Sequence, residues 1–253
     1  MTQQTPDFDV VTLSARPDLD EQRTQIVNAA WPEFMLHDPV LDQNWWSLNA
    51  LFPEYQFALL DQDDILGLAN TVPLQFSGPL TDLPDRGVDW GMEKAVLDHH
   101  EGAAPNCLMG IQAVVNPAHQ AKRLSGALVA QMVALAARMG IRYVILPVRP
   151  NQKAQFPLIP MEQYVAWTND AGLPYDAWLR VHVRMGGKVI RVCPDSMFIP
   201  GTVADWSRWT GLMFPGTGRY CVPGALNPID IDLEHDQGVY REPNVWVVHD
   251  VDG

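Results

Sequence analysis

Two apolar runs, LMGIQAVV at residues 108–115 and RYVILPV at 142–148, are each suited to a strand buried on both faces. Between them Leu124, Leu128, Met132, Leu135 and Met139 recur at steps of four, four, three and four, so they share one face of a single helix. Gly140 supplies the C-terminal stop, and the second run begins two residues later. A strand, helix and strand joined this tightly predict a right-handed crossover with the two strands parallel. That unit fixes the middle of the fold.

The flanking segments add elements on both sides. FDVVTLS at residues 8–14 alternates as a strand, and Pro17-Asp18 opens a helical segment that runs to about Trp31 and is closed by Pro32. Residues 39–51, PVLDQNWWSLNAL, read as one short helix with Trp45, Leu48 and Leu51 at helical spacing. YQFALL and ILGLANTV flank Asp61-Gln62-Asp63-Asp64, a hairpin signal of the longer-loop kind. Residues 73–106 are broken by Pro73, Gly78, Pro79, Pro84 and Gly87 and read as an insertion, with a helical piece at about 88–100. Beyond the second buried run come a proline-rich segment at 149–160, a helix from about 160 to before Gly172, and another at about 175–185. The strand KVIRV follows from Lys188. Thr202-x-x-Asp205 ahead of Trp206 and Trp209 is a capping signal for a short helix ended by Gly211, and NVWVVHD reads as the final strand. There is no internal repeat and no low-complexity segment.

Composition excludes several classes. A formal net charge of −13 surrounds the chain with a negative field that disfavours nucleic acid and anionic lipid. No run of about 18 apolar residues exists to span a bilayer, and MTQQTPDFD has neither the basic start nor the apolar centre of a signal peptide, so a cytoplasmic location is expected. Cys107, Cys193 and Cys221 form no C-x-x-C pair and cannot all pair, so they read as buried thiols. His99-His100-Glu101 and Glu234-His235-Asp236 carry metal-ligand types, but adjacent helical side chains point about 100° apart, and no metal is expected. A G-x-S-x-G elbow is absent, which argues against a serine hydrolase.

The order strand, two helices, hairpin, central strand, helix, parallel strand, helix, strand resembles the GNAT superfamily of acyl-CoA-dependent acyltransferases. In that superfamily the central strand ends in a V-x-P turn and enters an R/Q-x-x-G-x-G/A loop at the start of a long helix. Here Val115-Asn116-Pro117 match the turn, Gln120, Ala121, Lys122, Arg123, Leu124 and Ser125 occupy the loop, and Gly126 and Ala127 follow on the helix. The unpaired N–H groups and positive dipole end of such a helix suit the pyrophosphate of coenzyme A. Arg123 and Ser125 stand where the pattern has glycines. Where the backbone needs a positive φ, that replacement costs about 1–2 kcal/mol.

A second match is the helix that ends LRVHVRMGG at residues 179–187, aligned on its closing glycine with the superfamily's L-Y-E-x-L-G-F. His182 falls at the position of the tyrosine that protonates the departing thiolate, and the alignment turns Trp178, Val181 and Met185 toward the sheet. Asn151 stands where many members place a cofactor-contacting asparagine, though residues 152–176 separate it from the helix by more than the pattern has.

The resemblance implies a single GNAT-like α/β domain over residues 1–253. Its core lies at about 8–199, with insertions at 73–106 and 150–176 and an extension at 200–253. The sheet is mixed and mostly antiparallel, with a parallel pair at its central strands. It further implies an acyltransferase moving an acetyl or other acyl group from acyl-CoA to an amine of a small molecule, with neither nucleic acid nor membrane as partner; a homodimer is admitted. The backbone of Ala113, Val114 and Val115 would meet pantetheine, residues 120–127 and Asn151 the rest of the cofactor, and His182 the thiolate. The acceptor would be chosen by residues 31–52, 73–106 and 150–176. Two other readings stay open: a GNAT-fold binding or regulatory module that has lost acyl transfer, motivated by Arg123, Ser125 and the missing tyrosine, and an acyltransferase taking a long or unusual acyl donor. The nine tryptophans suit either an aromatic pocket or extra core under long loops, and Asp89, Glu93 and Asp98 either attract an amine substrate or act as a base, or form a solvated helix face.

Overall fold

A computed structural model describes residues 7–119 and 124–252. The described residues form a nine-stranded sheet in the order β1 (Asp9–Thr12), β2 (Gln56–Asp61), β3 (Asp64–Leu74), β4 (Cys107–Val115), β5 (Tyr143–Val148), β9 (Gln237–Asp250), β8 (Ile229–Asp232) and β7 (Gly218–Tyr220). The ninth strand, β6 (Lys188–Gly201), also pairs with β9. All these pairings are antiparallel except β4–β5, the pair the crossover predicts. The connecting helix α5 (Leu124–Arg138) buries Leu124, Leu128, Met132 and Leu135, each worth about 1.5–3 kcal/mol of transfer free energy. Gly140 at φ 67° ends the helical path.

Helix α1 (Asp20–Ala30) follows a short 3-10 turn that begins at Pro17. The stretch read as one helix over 39–51 is two, α2 (Pro39–Asn44) and α3 (Trp46–Ala50), broken at Trp45. Asp38 caps α2, accepting from the N–H groups of Val40 and Leu41. The hairpin expected to have a longer loop is closed by two residues, Gln62 and Asp63, with Gln62 taking φ 58°. Helix α4 (Gly87–Glu101) packs on β3 and β6. The helix expected from 160 to before Gly172 is shorter: α6 (Met161–Val165) gives way to a bridge between Thr168 and Pro174. Helix α7 (Ala177–Arg184) starts on an Asp176 cap. Helix α8 (Val203–Thr210) has the capping box read from Thr202 and Asp205, and Gly211 ends it at φ 69°. Among the described residues, no helix is long and apolar enough to cross a membrane.

The main core lies under α4, α5 and α7. A second core, including Phe34, Met197, Ile199, Trp206, Ile231 and Tyr240, joins the C-terminal strands to the segment after α1. Trp206 is fully buried there against Gly238, where a Cβ would stand 2.0 Å from its Cδ1. Gly238→Ala should therefore overpack this core and destabilise the chain by about 1–3 kcal/mol. The check is the urea midpoint at constant m-value; an unchanged midpoint would show that Trp206 relocates without cost.

Candidate active site

Strands β4 and β5 begin together and then separate. Cys107, Leu108 and Met109 pair with Tyr143, Val144 and Ile145, and no β4–β5 pair follows. On its other side β4 stays paired with β3, from Leu74↔Cys107 to Gly67↔Val115, with one irregularity where Asn70 faces Gln112 and Thr71 faces Gly110. Ile111 is thus the extra residue of a bulge. A bulge bends its strand and increases local twist, and here it stands at the point of divergence. Among the described residues, the backbone edge of residues 110–115 that faces β5 has no strand partner, while the opposite edge of β5 is paired throughout with β9.

A cavity of about 420 Å³ occupies the gap. Ala113, Val114, Val115, Ser125, Asn151 and His182, read separately from the sequence, all line it. Leu124 is buried in the core, and Gly126 and Ala127 lie half-buried in the first turns of α5. Gln120, Ala121, Lys122 and Arg123 lie outside the described residues.

The Asp176 cap sets the phase of α7, and that phase differs from the one expected. Leu179 and His182 face inward, whereas Met185 is 43% exposed and Val181 half-buried. His182 is fully buried, packed at 4.3 Å between ring centroids against Trp178. Its Nδ1 lies 3.1 Å from Nε2 of His249 on β9. Burial, and then the neighbouring His249, lowers the His182 pKa to about 3, so the ring is neutral at ordinary pH.

Deeper in the same wall, Glu242 is wholly buried and forms an ion pair with Arg149, Nε to Oε1 2.6 Å. The Tyr240 hydroxyl donates to the other carboxylate oxygen and accepts from Leu226 N. Burial raises the Glu242 pKa, opposed chiefly by Arg149. Lys153, also wholly buried, donates to the carbonyls of Leu226 and Phe156.

A second cavity, of about 310 Å³, adjoins the first: Trp31, Met35, Val88, Ile111, Gln112 and Met197 line both. Its walls include Trp45, Asp38 and Asp42. Trp31 Nε1 donates to Gln112 Oε1 (2.9 Å), Gln112 Nε2 to Asn70 Oδ1 (2.7 Å), and Asn70 Nδ2 to Gln56 Oε1 (2.9 Å). This chain of amides holds Gln112 and Trp31 in the shared wall. Behind it, Asp38 and Asp89 are both buried and interact electrostatically, and Asp38 Oδ2 and Asp89 Oδ1 have no hydrogen-bond partner among the described residues. Burial and then the Asp38 charge push Asp89 up to about 8, and burial raises Asp38 as well.

Asp89 is legible as an acidic residue on a helix, and its burial rules out the solvated-face reading. His249, Glu242, Arg149 and Asp38 were not singled out from the sequence. The available signals were a histidine at the end of an apolar strand in NVWVVHD, and an aspartate before Pro39 at a helix start. The tryptophans divide: Trp206 and Trp246 are core, while Trp31, Trp45 and Trp178 line cavities.

No family model matches the chain. The chain is 30% identical to the arginine N-acetyltransferase avaD of Aspergillus versicolor, over 97% of this chain and 95% of that protein. It belongs to the GNAT superfamily. Acyl transfer from acyl-CoA to an amine is accordingly its reaction class. Among solved structures, the loading GNATL domain of CurA from Lyngbya majuscula matches with TM-score 0.61 at 18% identity, covering 98% of this chain and 99% of that one. The GphF GNAT-like decarboxylase in complex with isobutyryl-CoA matches with TM-score 0.53 at 16% identity, covering 97% and 100%. At those identities the likeness is one of fold, and it is the GNAT fold that the sequence resemblance implies.

The carboxyl pair gives a pH signature. Asp89 keeps its proton in the folded chain up to about pH 8 but loses it near 3.8 when unfolded, so its contribution is full below 3.8 and is lost as pH rises through 8. His182 acts oppositely, with stability lost as pH falls from 6.5 toward 3. Between pH 6.5 and 8 the Asp89 trend stands apart from it. Asp89→Asn should flatten the fall of unfolding free energy over that window by up to about 1.4 kcal/mol per pH unit. Equal slopes for the two proteins in denaturant titrations would exclude the proton on Asp89.

Proposed function

We propose that the chain transfers an acyl group from acyl-CoA to a nitrogen of a small cationic acceptor of the arginine type, with the thioester in the β4–β5 cleft and the acceptor in the adjoining cavity. The observation that carries this is the junction of the two cavities at Trp31, Ile111 and Gln112, which lets one ligand from each side meet, with His182 lining the cleft side. The unpaired edge of residues 110–115 can hydrogen-bond the amides of pantetheine as a further strand would. Beyond it, the first described turn of α5 lies at the cleft, with Ser125 lining it and small enough to permit the approach of a pyrophosphate.

The acceptor side has the chemistry for a cation. Asp38 and Asp42 supply carboxyls, Trp31 and Trp45 supply aromatic faces, and the net charge of −13 attracts cations from solution. The name of the 30% identical relative points to the same class. The chain's own residues position the reactants: cleft backbone aligns the thioester, the wall excludes water, and His182 manages the proton at the reacting centre.

Two measurements test this. Acetyl-CoA at a hundred times its dissociation constant should add about 2.7 kcal/mol of stability, a rise of roughly 5–10 °C in the thermal midpoint. With acetyl-CoA and L-arginine, free thiol and a product heavier by one acetyl group should appear together. Citrulline, which lacks the cation, should react with a kcat/KM lower by roughly 100-fold, the loss of about 3 kcal/mol expected for leaving a buried carboxylate unpaired. No thiol release with any amine or guanidine acceptor, from acetyl-CoA or a longer acyl-CoA, would overturn the assignment.

A further inference from the structure

The two histidines at the end of the cleft form a directional hydrogen-bonded chain. His249 presents Nε2 to His182 at 3.1 Å, and the Met185 backbone interacts with the His249 ring so as to raise its pKa, as a carbonyl acceptor does. A neutral imidazole carries one N–H, and with Nε2 turned to His182 a carbonyl partner assigns that proton to His249 Nδ1. His249 Nε2 is therefore an acceptor. The proton in the 3.1 Å contact belongs to His182 Nδ1, which leaves His182 Nε2 with a lone pair.

The surroundings hold this arrangement. His249 sits on β9 opposite Val144, within the sheet, so its ring cannot swing with a loop. Gly187 N donates to the His182 carbonyl at 2.8 Å, and a Cβ on Gly187 would stand 2.8 Å from His249 Nε2. A glycine there is what lets the two rings approach. Trp178 packs on the other side of His182. His182 Nε2, in contrast, is buried with no hydrogen-bond partner among the described residues, and its side chain lines the β4–β5 cavity. A buried ring nitrogen without a partner is satisfied when a donor reaches it from the cavity its side chain lines.

We propose that His249 is the positioning residue that fixes His182 with Nδ1 protonated, and that His182 Nε2 shuttles the proton of the attacking nitrogen to the departing sulfur. This rests on the acyl-transfer assignment above. The acceptor nitrogen, having reached the thioester as a neutral group, forms the N–C bond, and the C–S bond breaks with its electron pair left on sulfur. The surplus proton on nitrogen passes to His182 Nε2 and from there to the thiolate. His182 begins and ends neutral, and the Nδ1 proton held by His249 does not leave. A tyrosine at position 182 could donate its own proton to the thiolate but would have to recover one from elsewhere before the next turnover, whereas one imidazole nitrogen both receives and delivers it.

Three proteins test this: the native chain, His249→Gln, whose amide oxygen can still accept from His182 Nδ1, and His249→Leu, which cannot. Long-range proton–nitrogen spectra of the native protein should show His182 with a pyrrole-type Nδ1 and a pyridine-type Nε2. His249→Leu should lose that single tautomer and lower kcat by roughly 100-fold with little change in the KM for acyl-CoA, and His249→Gln should restore both tautomer and most of the rate. A native His182 protonated at Nε2 would overturn the proposal, as would equal rates for the Leu and Gln proteins. If no acceptor is turned over by the native protein, the acyl-transfer assignment fails, while the tautomer spectrum still decides the His249–His182 relation. If the Leu protein does not fold, the native spectrum and the Gln protein's rate decide.

Discussion

The separation of β4 from β5 after three paired residues is the constraint on which the rest of the molecule depends. Parallel strands joined by a short crossover would ordinarily stay paired, because an unpaired edge inside a protein leaves N–H and C=O groups unsatisfied. Here the Ile111 bulge bends β4 while β3 follows it, and β9 takes the edge of β5 that faces away from the gap. The opened edge then needs a partner other than a strand. A cavity that can admit an extended, amide-bearing ligand offers such a partner, and the apolar runs at the centre of this sequence form its walls.

The C-terminal half of the sheet serves that opening. Strand β9 carries Glu242, Asn244 and His249, and the first two line the cleft. Glu242 would be a buried carboxylate left unmatched without Arg149, which follows β5, and removing one member of such a pair costs about 3–5 kcal/mol. Tyr240 and Lys153 extend the same network to the loop at Leu226. The residues beyond 200, which the resemblance treats as an extension, thus supply the far wall of the cleft and the partner of His182.

How much of this is readable in the chain depends on whether a signal is local. The crossover, the cap at Thr202 and the stops at Gly140 and Gly211 follow from spacing and from residues next to one another, and the structure has them. The break at Trp45 and the early end of α6 follow from tertiary packing that propensity does not encode. The phase of α7 shows the limit most sharply. Alignment on a closing glycine turned Met185 inward, but the Asp176 cap and the burial of Leu179 bring His182 to the interior instead. His249 and Glu242 lie more than fifty residues from the histidine and beyond ninety from the arginine they serve. Nothing in their own neighbourhood marks those pairings, which exist only once β9 lies beside β5.

The buried titratable groups share one solution. The two histidines are held neutral and one of two carboxyls keeps its proton, while Glu242 is balanced by Arg149. In a chain so acidic, this leaves the cleft wall close to neutral and one carboxylate charge on the Asp38–Asp89 pair beside the acceptor cavity. Such an interior suits a reaction in which an ammonium or guanidinium must give up a proton before attack. A strongly anionic pocket would raise the basicity of the bound nitrogen and hold that proton in place, whereas a singly protonated carboxyl pair beside aromatic walls can admit the cation and still favour its neutral form. On this argument the Asp38–Asp89 proton and the His182 lone pair do complementary work at the two ends of one passage: the first limits how strongly the acceptor is held as a cation, and the second receives the proton released when it reacts.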